Sequence, residues 1–129
     1  MTAGVYYILN ARNNRIYVGC SHNVEERIKF HLSRLRNDKH DIKTFQNDWN
    51  IYGADVFETG LLVEVKPHGK SNHIFHANLV KHERIFFRVY QSENPKFGYN
   101  RANRTYYRNR TRNPHTSAAN EAARKYRPR

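Results

Sequence analysis

The feature that most restricts the fold of this chain is a pair of short β-rich runs followed at once by an amphipathic segment. Residues 4–10 (GVYYILN) and 15–19 (RIYVG) are rich in β-branched and aromatic residues, and the polar sequence ARNN separates them. Two such runs across a short polar turn predict a β-hairpin. The hairpin would bring the aromatic residues of both runs onto one small sheet.

The segment after the hairpin predicts a helix. Asn23 is a good N-cap residue, and Glu26 follows it at the spacing of a capping box. Apolar residues then recur at helical spacing and form a single stripe: Val24, Ile28, Leu32 and Leu35. We expect this helix to end at residues 37–38.

Three further elements complete the predicted fold. Residues 42–52 predict a second helix, with Asp41 as its N-cap and Gly53 as its C-terminal αL residue. Residues 57–65 predict a third strand and residues 75–90 a third helix. The order β-β-α-α-β-α indicates an α/β (α+β) fold with a small, three-stranded, mainly antiparallel sheet flanked by helices.

The length and charge of the chain predict one domain and a basic tail. With 129 residues the chain has room for one core, which we place in residues 1–100. Residues 101–129 hold nine Lys and Arg residues against one Glu, which is +8 of the formal net charge of +12. Such an excess indicates a polyanionic partner, either nucleic acid or an anionic membrane surface.

The composition of the tail favours nucleic acid over a membrane surface. It contains no Trp, Phe or Leu that would insert into lipid. Arginine is also the better fork for phosphate, so we expect the tail to bind DNA. The expected contacts are Arg101, Arg104, Arg108, Arg110 and Arg112. The alternative is a solvated tail that only aids solubility.

Several classes of protein are excluded. No apolar run approaches the roughly 20 residues that cross a bilayer, and the N-terminus lacks the pattern of a secretory signal. Cys20 is the single cysteine, which excludes an internal disulfide and a zinc site built on cysteines. We therefore expect an intracellular protein that does not bind membranes.

Charged and hydroxyl side chains in the predicted elements form candidate sites. Arg27, His31 and Arg34 share one face of the first helix, where they could hold a phosphate and move a proton. An ordinary solvated basic face is the alternative. Tyr6 and Tyr17 lie on opposite strands of the hairpin, and their rings either fill the core or aim hydroxyls at a cleft.

Glu83 lies on the inward face of the third helix. Its neighbours at helical spacing are apolar: Leu79, Val80, Phe86 and Phe87. An unpaired buried carboxylate is costly. Either Glu83 pairs with a basic residue across the core, or it faces a cleft and binds a cation such as Mg²⁺. The pattern leaves both alternatives open.

The chain also resembles a known family in several places. Gly4-Val5-Tyr6 and, ten residues later, Tyr17-Val18-Gly19 resemble the signature of the GIY-YIG nucleases. The helix that follows is similar to the first helix of that family, with its arginine at Arg27 and a histidine at His31. His40 matches a histidine of the phage homing endonucleases.

The C-terminal half of the domain continues the resemblance. The sequence HERIFFRVY is similar to the helix that carries the metal-binding glutamate of the family, which places that role on Glu83. Glu93 is the alternative carboxylate, but it lies beyond the apolar helix pattern. The segment FGYN, which ends at Asn100, resembles the closing segment of the family.

The resemblance implies a metal-dependent DNA endonuclease, closest in pattern to phage homing or mobile endonucleases. Its implied catalytic residues are Tyr6, Tyr17, Arg27, His31, His40 and Glu83. In the implied mechanism, Tyr6 activates the attacking water and passes a proton to His31. Arg27 would stabilise charge on the phosphoryl oxygens, and Tyr17 would orient the water or contact the scissile phosphate.

The cofactor and partners follow from the same resemblance. Glu83 would hold a single Mg²⁺ or Mn²⁺ ion, and no small-molecule cofactor is expected. His40 would either assist the leaving group or bind a flanking phosphate. We expect a monomer or a weak dimer, with sequence preference either slight or supplied by dimerisation or a separate partner.

Other functions are kept as alternatives. One is a non-catalytic nucleic-acid-binding module on the same fold, and a second is a nuclease of the restriction or repair type. A third is a metal-finger nuclease, which we consider because the chain has eight histidines. Their scatter shows little of the paired spacing that such a site needs.

Overall fold

Three strands and three helices follow one another in the predicted order. The computed structural model describes residues 1–101. The elements are β1 (Gly4–Asn10), β2 (Ile16–Ser21), α1 (Val24–Arg36), α2 (Lys43–Tyr52), β3 (Phe57–Glu64) and α3 (Asn72–Tyr90). A single 3₁₀ turn at Ala54–Val56 joins α2 to β3. The α+β class is confirmed.

The sheet has the order β2-β1-β3, and both strand pairs are antiparallel. In the hairpin Tyr6 lies opposite Gly19, and Tyr17 lies opposite Ile8. Because side chains alternate along a strand, Tyr6 and Tyr17 share one face at diagonal positions. Their ring centroids are 6.2 Å apart.

Gly19 makes room for the ring of Tyr6. A Cβ atom at this position would lie 2.5 Å from the Tyr6 hydroxyl oxygen and 2.6 Å from its Cζ atom. Any side chain here would therefore displace the tyrosine. The second glycine of the hairpin signature is needed for packing against a side chain, not for turn geometry.

The predicted start of α1 is confirmed. The Asn23 side chain accepts a hydrogen bond from the Glu26 N–H at 3.2 Å. The Val24 N–H also donates to the Thr2 carbonyl at 2.7 Å, which ties the helix to the chain before β1. Val24 and Leu35 are buried, so the apolar stripe faces the sheet as expected.

The predicted ends of α2 are partly wrong. Ile42, not Asp41, is the N-cap, and no side chain bonds to this end of the helix. The Asp41 carboxylate instead accepts from Arg34 at 3.5 Å. Gly53 has the positive φ that favours glycine (+85°), but its ψ of 160° is outside the αL region.

α3 begins three residues earlier than the apolar pattern indicates. Ser71 is its N-cap, and the Ser71 hydroxyl accepts from the Ile74 N–H at 3.2 Å. The helix ends at Tyr90, and its C-cap Gln91 adopts the αL conformation. The exposed loop at residues 66–70 connects β3 to this helix.

Two clusters of buried side chains lie on the two faces of the sheet. One joins the sheet to α1 and α2, and consists of Ile8, Leu35, Phe45, Trp49 and Tyr99. The other joins the sheet to α3, and consists of Val5, Ile16, Val18, Phe86 and Val89. The helices therefore cover both faces, with β2 as an edge strand between them.

The segment after α3 returns to the edge of β2. The Ile16 N–H donates to the Phe97 carbonyl at 3.1 Å, and the Tyr99 N–H donates to the Ile16 carbonyl at 3.0 Å. These bonds form a short parallel bridge with Ile16 opposite Gly98. Part of the exposed strand edge is thereby paired, and Asn100 is brought beside the hairpin.

Two further sequence-based expectations concern membrane spanning and the basic tail. Within residues 1–101 no helix is both long enough and apolar enough to span a membrane. Most of the tail arginines lie outside the described residues: Arg104, Arg108, Arg110 and Arg112. Their expected contacts with DNA remain a prediction.

Candidate active site

A cleft of about 350 Å³ opens beside the first helix and the edge of β2. Six of the residues predicted from the sequence line it: Tyr17, Arg27, His31, Arg34, His40 and Arg101. The helix face and the hairpin therefore meet at one place. Two other predicted residues, Tyr6 and Glu83, are not on the cleft wall, but the Tyr6 hydroxyl is hydrogen-bonded to His31 and the charge of Glu83 acts on Tyr17.

Tyr6, His31 and His40 form a buried hydrogen-bonded chain. The Tyr6 hydroxyl lies 2.8 Å from His31 Nε2, and His31 Nδ1 lies 2.9 Å from His40 Nε2. The remaining ring nitrogen of His40 accepts from the Ile42 N–H at 3.1 Å. The exposed fraction is 1% for Tyr6, 3% for His31 and 5% for His40.

The main chain around His40 is held in place by Gln46. Its side-chain oxygen accepts from the His40 N–H at 3.0 Å, while its amide nitrogen donates to the Leu35 carbonyl at 2.9 Å. α2 thereby fixes the short segment that follows α1. The position of the His40 ring depends on this link between the two helices.

Both histidines are neutral at neutral pH. The pKa of His31 is lowered to about 3. Burial is the largest cause, and the neighbouring His40 and Arg27 add to it. Burial is also the main cause that lowers the pKa of His40, although the Asp41 carboxylate opposes it. Each ring therefore carries one proton and offers one donor and one acceptor.

Burial also raises the pKa of both tyrosines. For Tyr6, burial and the neighbouring Tyr17 raise the pKa, while the Arg27 guanidinium lowers it. For Tyr17, burial and the Glu83 carboxylate raise the pKa, and Arg27 again lowers it. Arg27 is thus the positive charge that would favour a tyrosinate at this site.

Phe30 lies between the two arginines of the helix face and was not predicted as a site residue. The Arg27 guanidinium carbon is 4.7 Å from the centre of its ring, and that of Arg34 is 5.6 Å away. The Phe30 side chain lines the cleft and is 46% exposed. The sequence signal that would have indicated Phe30 is its position on the helix, three residues after one arginine and four residues before the other.

Glu83 reaches the site from the other side of β2. It contacts Cys20 through hydrogen bonds and lies close enough to Tyr17 to raise the pKa of that hydroxyl. Burial raises the pKa of Glu83 itself, whereas the bonds from Cys20 lower it. Burial and this carboxylate together raise the pKa of the Cys20 thiol to about 12.

A second carboxylate accompanies Glu83. Glu93 is buried, lines the cleft, and its charge contributes to the raised pKa of Glu83. Sequence reasoning named Glu93 only as the alternative to Glu83, because it follows the end of α3. The structure brings both carboxyl groups to the same region.

Asn100 closes the cleft and was not predicted as a site residue. Its side-chain oxygen accepts from the Val18 N–H at 2.9 Å, and its amide nitrogen donates to the Val18 carbonyl at 2.8 Å. The amide thus occupies the position that another strand would take beside β2. The signal was present in the closing segment FGYN, to which no chemical role had been attached.

Arg101 follows directly and also reaches the cleft. Its guanidinium donates to the Asp41 carbonyl at 2.6 Å, so it is fixed between the closing segment and the start of α2. Within residues 1–101, no three His, Cys, Asp or Glu side chains converge on a position that could hold a metal ion. The metal-finger alternative therefore has no support in that part of the chain.

Comparison with known proteins identifies the family. The sequence profile of the GIY-YIG catalytic domain matches residues 2–65. The solved catalytic domain of the homing endonuclease I-TevI is 30% identical, with a TM-score of 0.65, and the match covers 78% of this chain and 99% of that domain. The chain belongs to the GIY-YIG family.

Two further comparisons also match over most of the chain. A single-residue variant of the I-TevI catalytic domain is 28% identical, with a TM-score of 0.66, over 79% of this chain and 95% of that domain. Intron-associated endonuclease 1 of Enterobacteria phage T4 is 33% identical over 106 residues. That match covers 82% of this chain but 39% of the phage protein, so the chain spans about two fifths of the length of this relative.

Proposed function

We propose that this GIY-YIG protein is a metal-dependent DNA endonuclease of the phage homing or mobile type. The observation that carries the proposal is the convergence of Arg27, Tyr17 and the Tyr6–His31 hydrogen bond at one cleft. The family supports a phosphodiester as the substrate, and the basic charge of the chain supports DNA. DNA cleavage would take place inside the host cell.

Arg27 is proposed to bind the scissile phosphate. Its side chain lines the mouth of the cleft and belongs to an exposed residue. A guanidinium there can contact two phosphoryl oxygens and stabilise the charge that grows on them in the transition state. Tyr17 lines the same cleft, from which its hydroxyl can orient a water molecule or contact the phosphate.

Glu83 is proposed to hold the divalent ion. Its burial and the nearby charge of Glu93 both raise its pKa, and a bound cation would relieve both effects. Mg²⁺ commonly takes only one or two protein carboxylates and keeps several water ligands, which fits these residues. When bound, the Mg²⁺ or Mn²⁺ ion supplies a Lewis acid for the phosphodiester oxygens.

Tyr6 and His31 are proposed to assist in activating water. Free tyrosine has a pKa of about 10, and burial raises that of Tyr6 above this value. Tyr6 therefore acts as a base only when a nearby positive charge and a hydrogen-bond donor favour its ionised form. Arg27 supplies the charge, and the imidazole of His31 is in hydrogen-bond contact.

The experiment is cleavage of supercoiled plasmid DNA by the full chain with Mg²⁺, with Mn²⁺ and without a divalent ion. Parent, Arg27→Ala and Glu83→Ala are compared with Arg36→Ala, which removes an exposed arginine from the end of the same helix. We expect both site variants to lose on the order of 100-fold or more in rate and Arg36→Ala to retain activity. Undiminished cleavage by either site variant would refute its assigned role.

The form of the products tests the remaining parts of the proposal. Sequencing the ends of digested DNA gives the site preference, and the ratio of nicked to linear plasmid separates nicking from double-strand cutting. Rates that rise with the square of protein concentration would favour the weak dimer over the monomer, the two states that we expect. Binding of DNA without cleavage under all metal conditions would replace the endonuclease by a binding module on the same fold.

A further inference from the structure

The hydrogen-bonded chain behind the cleft has a fixed direction. It runs from the main chain at Ile42 through His40 and His31 to Tyr6, with donor–acceptor distances of 3.1, 2.9 and 2.8 Å. A main-chain N–H can only donate a hydrogen bond. The Ile42 N–H therefore determines which atom donates and which accepts in each of the other hydrogen bonds of this series.

The first consequence is the tautomer of His40. Because its Nδ1 accepts from the Ile42 N–H, this nitrogen carries no proton. A neutral imidazole with a bare Nδ1 has its proton on Nε2. His40 Nε2 is the atom that faces His31, so His40 donates to His31 Nδ1.

The same rule then fixes His31. Its Nδ1 accepts from His40, so its own proton is on Nε2, the atom 2.8 Å from the Tyr6 hydroxyl. The Tyr6 oxygen is therefore the acceptor of this bond. The opposite direction would leave both nitrogens of His40 as acceptors, which only an imidazolate anion allows.

We propose that His40 is a positioning residue that holds His31 as a hydrogen-bond donor to the Tyr6 oxygen, so that the histidine pair stabilises a tyrosinate and does not take the proton of Tyr6. This inference rests on the proposed function and reverses the proton relay that the family resemblance implies. The Tyr6 O–H then points away from the histidines. Both ring nitrogens of His40 are occupied, so neither is available to a leaving group or a flanking phosphate.

Other groups around the chain agree with this direction. Tyr17 and Arg27 are the neighbours of the Tyr6 hydroxyl besides His31. The guanidinium cannot accept a hydrogen bond, whereas the Tyr17 oxygen can. Gln46 holds the main chain at His40 and keeps the Ile42 N–H aimed at the ring.

The direct test is the tautomer of each histidine in the full, nitrogen-15-labelled chain without metal or DNA. Long-range proton–nitrogen correlation spectra distinguish protonated from bare ring nitrogens. We expect both His31 and His40 to carry their proton on Nε2. His82 is the internal control, because its Nδ1 lies 2.7 Å from the Asn78 carbonyl and must be protonated there. A protonated Nδ1 on His31 or His40 would overturn the proposal.

Two variants separate positioning from packing. His40→Gln retains an amide N–H that can donate to His31, whereas His40→Leu has a similar volume and no donor. We expect His40→Gln to keep the Nε2 proton on His31 and most of the cleavage rate. His40→Leu should give a mixture of His31 tautomers and a loss on the order of 10- to 100-fold in rate.

The outcomes are interpreted against the thermal unfolding midpoint of each variant. Equal losses of rate by His40→Gln and His40→Leu at equal midpoints would overturn the positioning role. So would an unchanged His31 tautomer in His40→Leu. Because the spectra need no substrate, they decide this proposal even if the parent fails to cleave DNA, which would refute only the proposed function.

Discussion

Gly19 is a residue at which a single methyl group would change the site. A Cβ atom there would lie within 2.6 Å of two atoms of Tyr6, so Gly19→Ala must displace the ring. A displacement of about 1 Å can cost on the order of 100-fold in rate, and we expect a loss of that size. Single-turnover cleavage of plasmid DNA measures it.

The matched control for this prediction is Gly69→Ala. Gly69 has a positive φ of 59°, but no atom lies within 4 Å of the position of its missing Cβ. This variant should lose stability at most by about 1–2 kcal/mol and retain its cleavage rate. Equal rates for Gly19→Ala and the parent would mean that Tyr6 does not need its present position.

The buried His31 gives stability a defined dependence on pH. Its pKa in the folded chain is lowered to about 3, below the value of about 6.5 expected in the unfolded chain. Between these values the unfolded chain binds a proton that the folded chain does not. The contribution of His31 to the free energy of unfolding should therefore be complete above about pH 6.5. As the pH decreases below this value, the contribution should decrease by up to about 1.4 kcal/mol per pH unit.

Urea unfolding between about pH 7.5 and about pH 5 measures this effect. His31→Gln, which cannot titrate in this range, should show a shallower decline than the parent. Burial raises the pKa of the Glu83 carboxyl, which acts on stability in the opposite direction, but that carboxyl is present in parent and variant alike, so the difference between the two curves reports His31. Parallel curves for parent and variant would contradict the assignment of a neutral buried His31.

At the scale of elements, the closing segment at residues 97–100 holds the edge of the sheet. Asn100 makes two hydrogen bonds to the main chain of Val18, one as acceptor and one as donor. Asn100→Ala leaves both main-chain groups without this partner, and we expect the free energy of unfolding to fall by about 1–3 kcal/mol. Chemical denaturation measures the change.

The matched control for the closing segment is Asn94→Ala, which removes a side chain whose hydrogen bond within residues 1–101 is the one accepted from the nearby Lys96 N–H. Its effect should be smaller than that of Asn100→Ala. Cleavage should also fall in Asn100→Ala alone, because Asn100 lines the cleft. Equal destabilisation by the two variants would show that the edge contact adds nothing to the fold.

Local patterns predicted the elements well where packing and capping agreed. The hairpin runs and the Asn23 cap are local features, and the structure contains both. The start of α2 was wrong because Asp41 is an acceptor for Arg34 instead of a helix cap. The start of α3 was placed too late because Ser71 caps a first turn whose residues, including Ile74, are exposed and lie off the buried apolar stripe.

At the scale of the whole molecule, the resemblance supplied more of the site than periodicity did. Helix spacing alone left the Arg27 face and Glu83 with two interpretations each. The structure shows that Arg27 and His31 share a cleft, while the carboxylate of Glu83 contacts Cys20 behind it. Asn100 was missed because its bonds to Val18 join residues 82 positions apart, whereas Phe30 was missed although its helical spacing from Arg27 and Arg34 was present in the sequence.

The basic tail carries a prediction for the entire chain. Truncation after Arg101 keeps the contact of that residue with Asp41 and removes eight Lys and Arg residues and one Glu. We expect weaker DNA binding with a smaller salt dependence, because the slope follows the number of phosphates neutralised. Binding measured at several salt concentrations tests this.

A variant with the tail arginines replaced by glutamine is the control for the truncation. This variant keeps the length of the chain and removes the positive charge of the tail arginines. Both changes should reduce the slope of affinity against salt by similar amounts. An unchanged slope in either would reduce the tail to an aid to solubility.

The exposed loop at residues 66–70 divides the residues of the candidate site between two stretches of chain. Tyr6, Tyr17, Arg27 and both cleft histidines precede the loop, whereas Glu83 and Asn100 follow it. The two stretches meet where α3 packs on the sheet, where Tyr99 packs in the cluster with Ile8 and Phe45, and where Asn100 bonds to β2. A chain cut at this loop would be a split enzyme, and fusing each half to one of two associating partners would make DNA cleavage a reporter of their encounter.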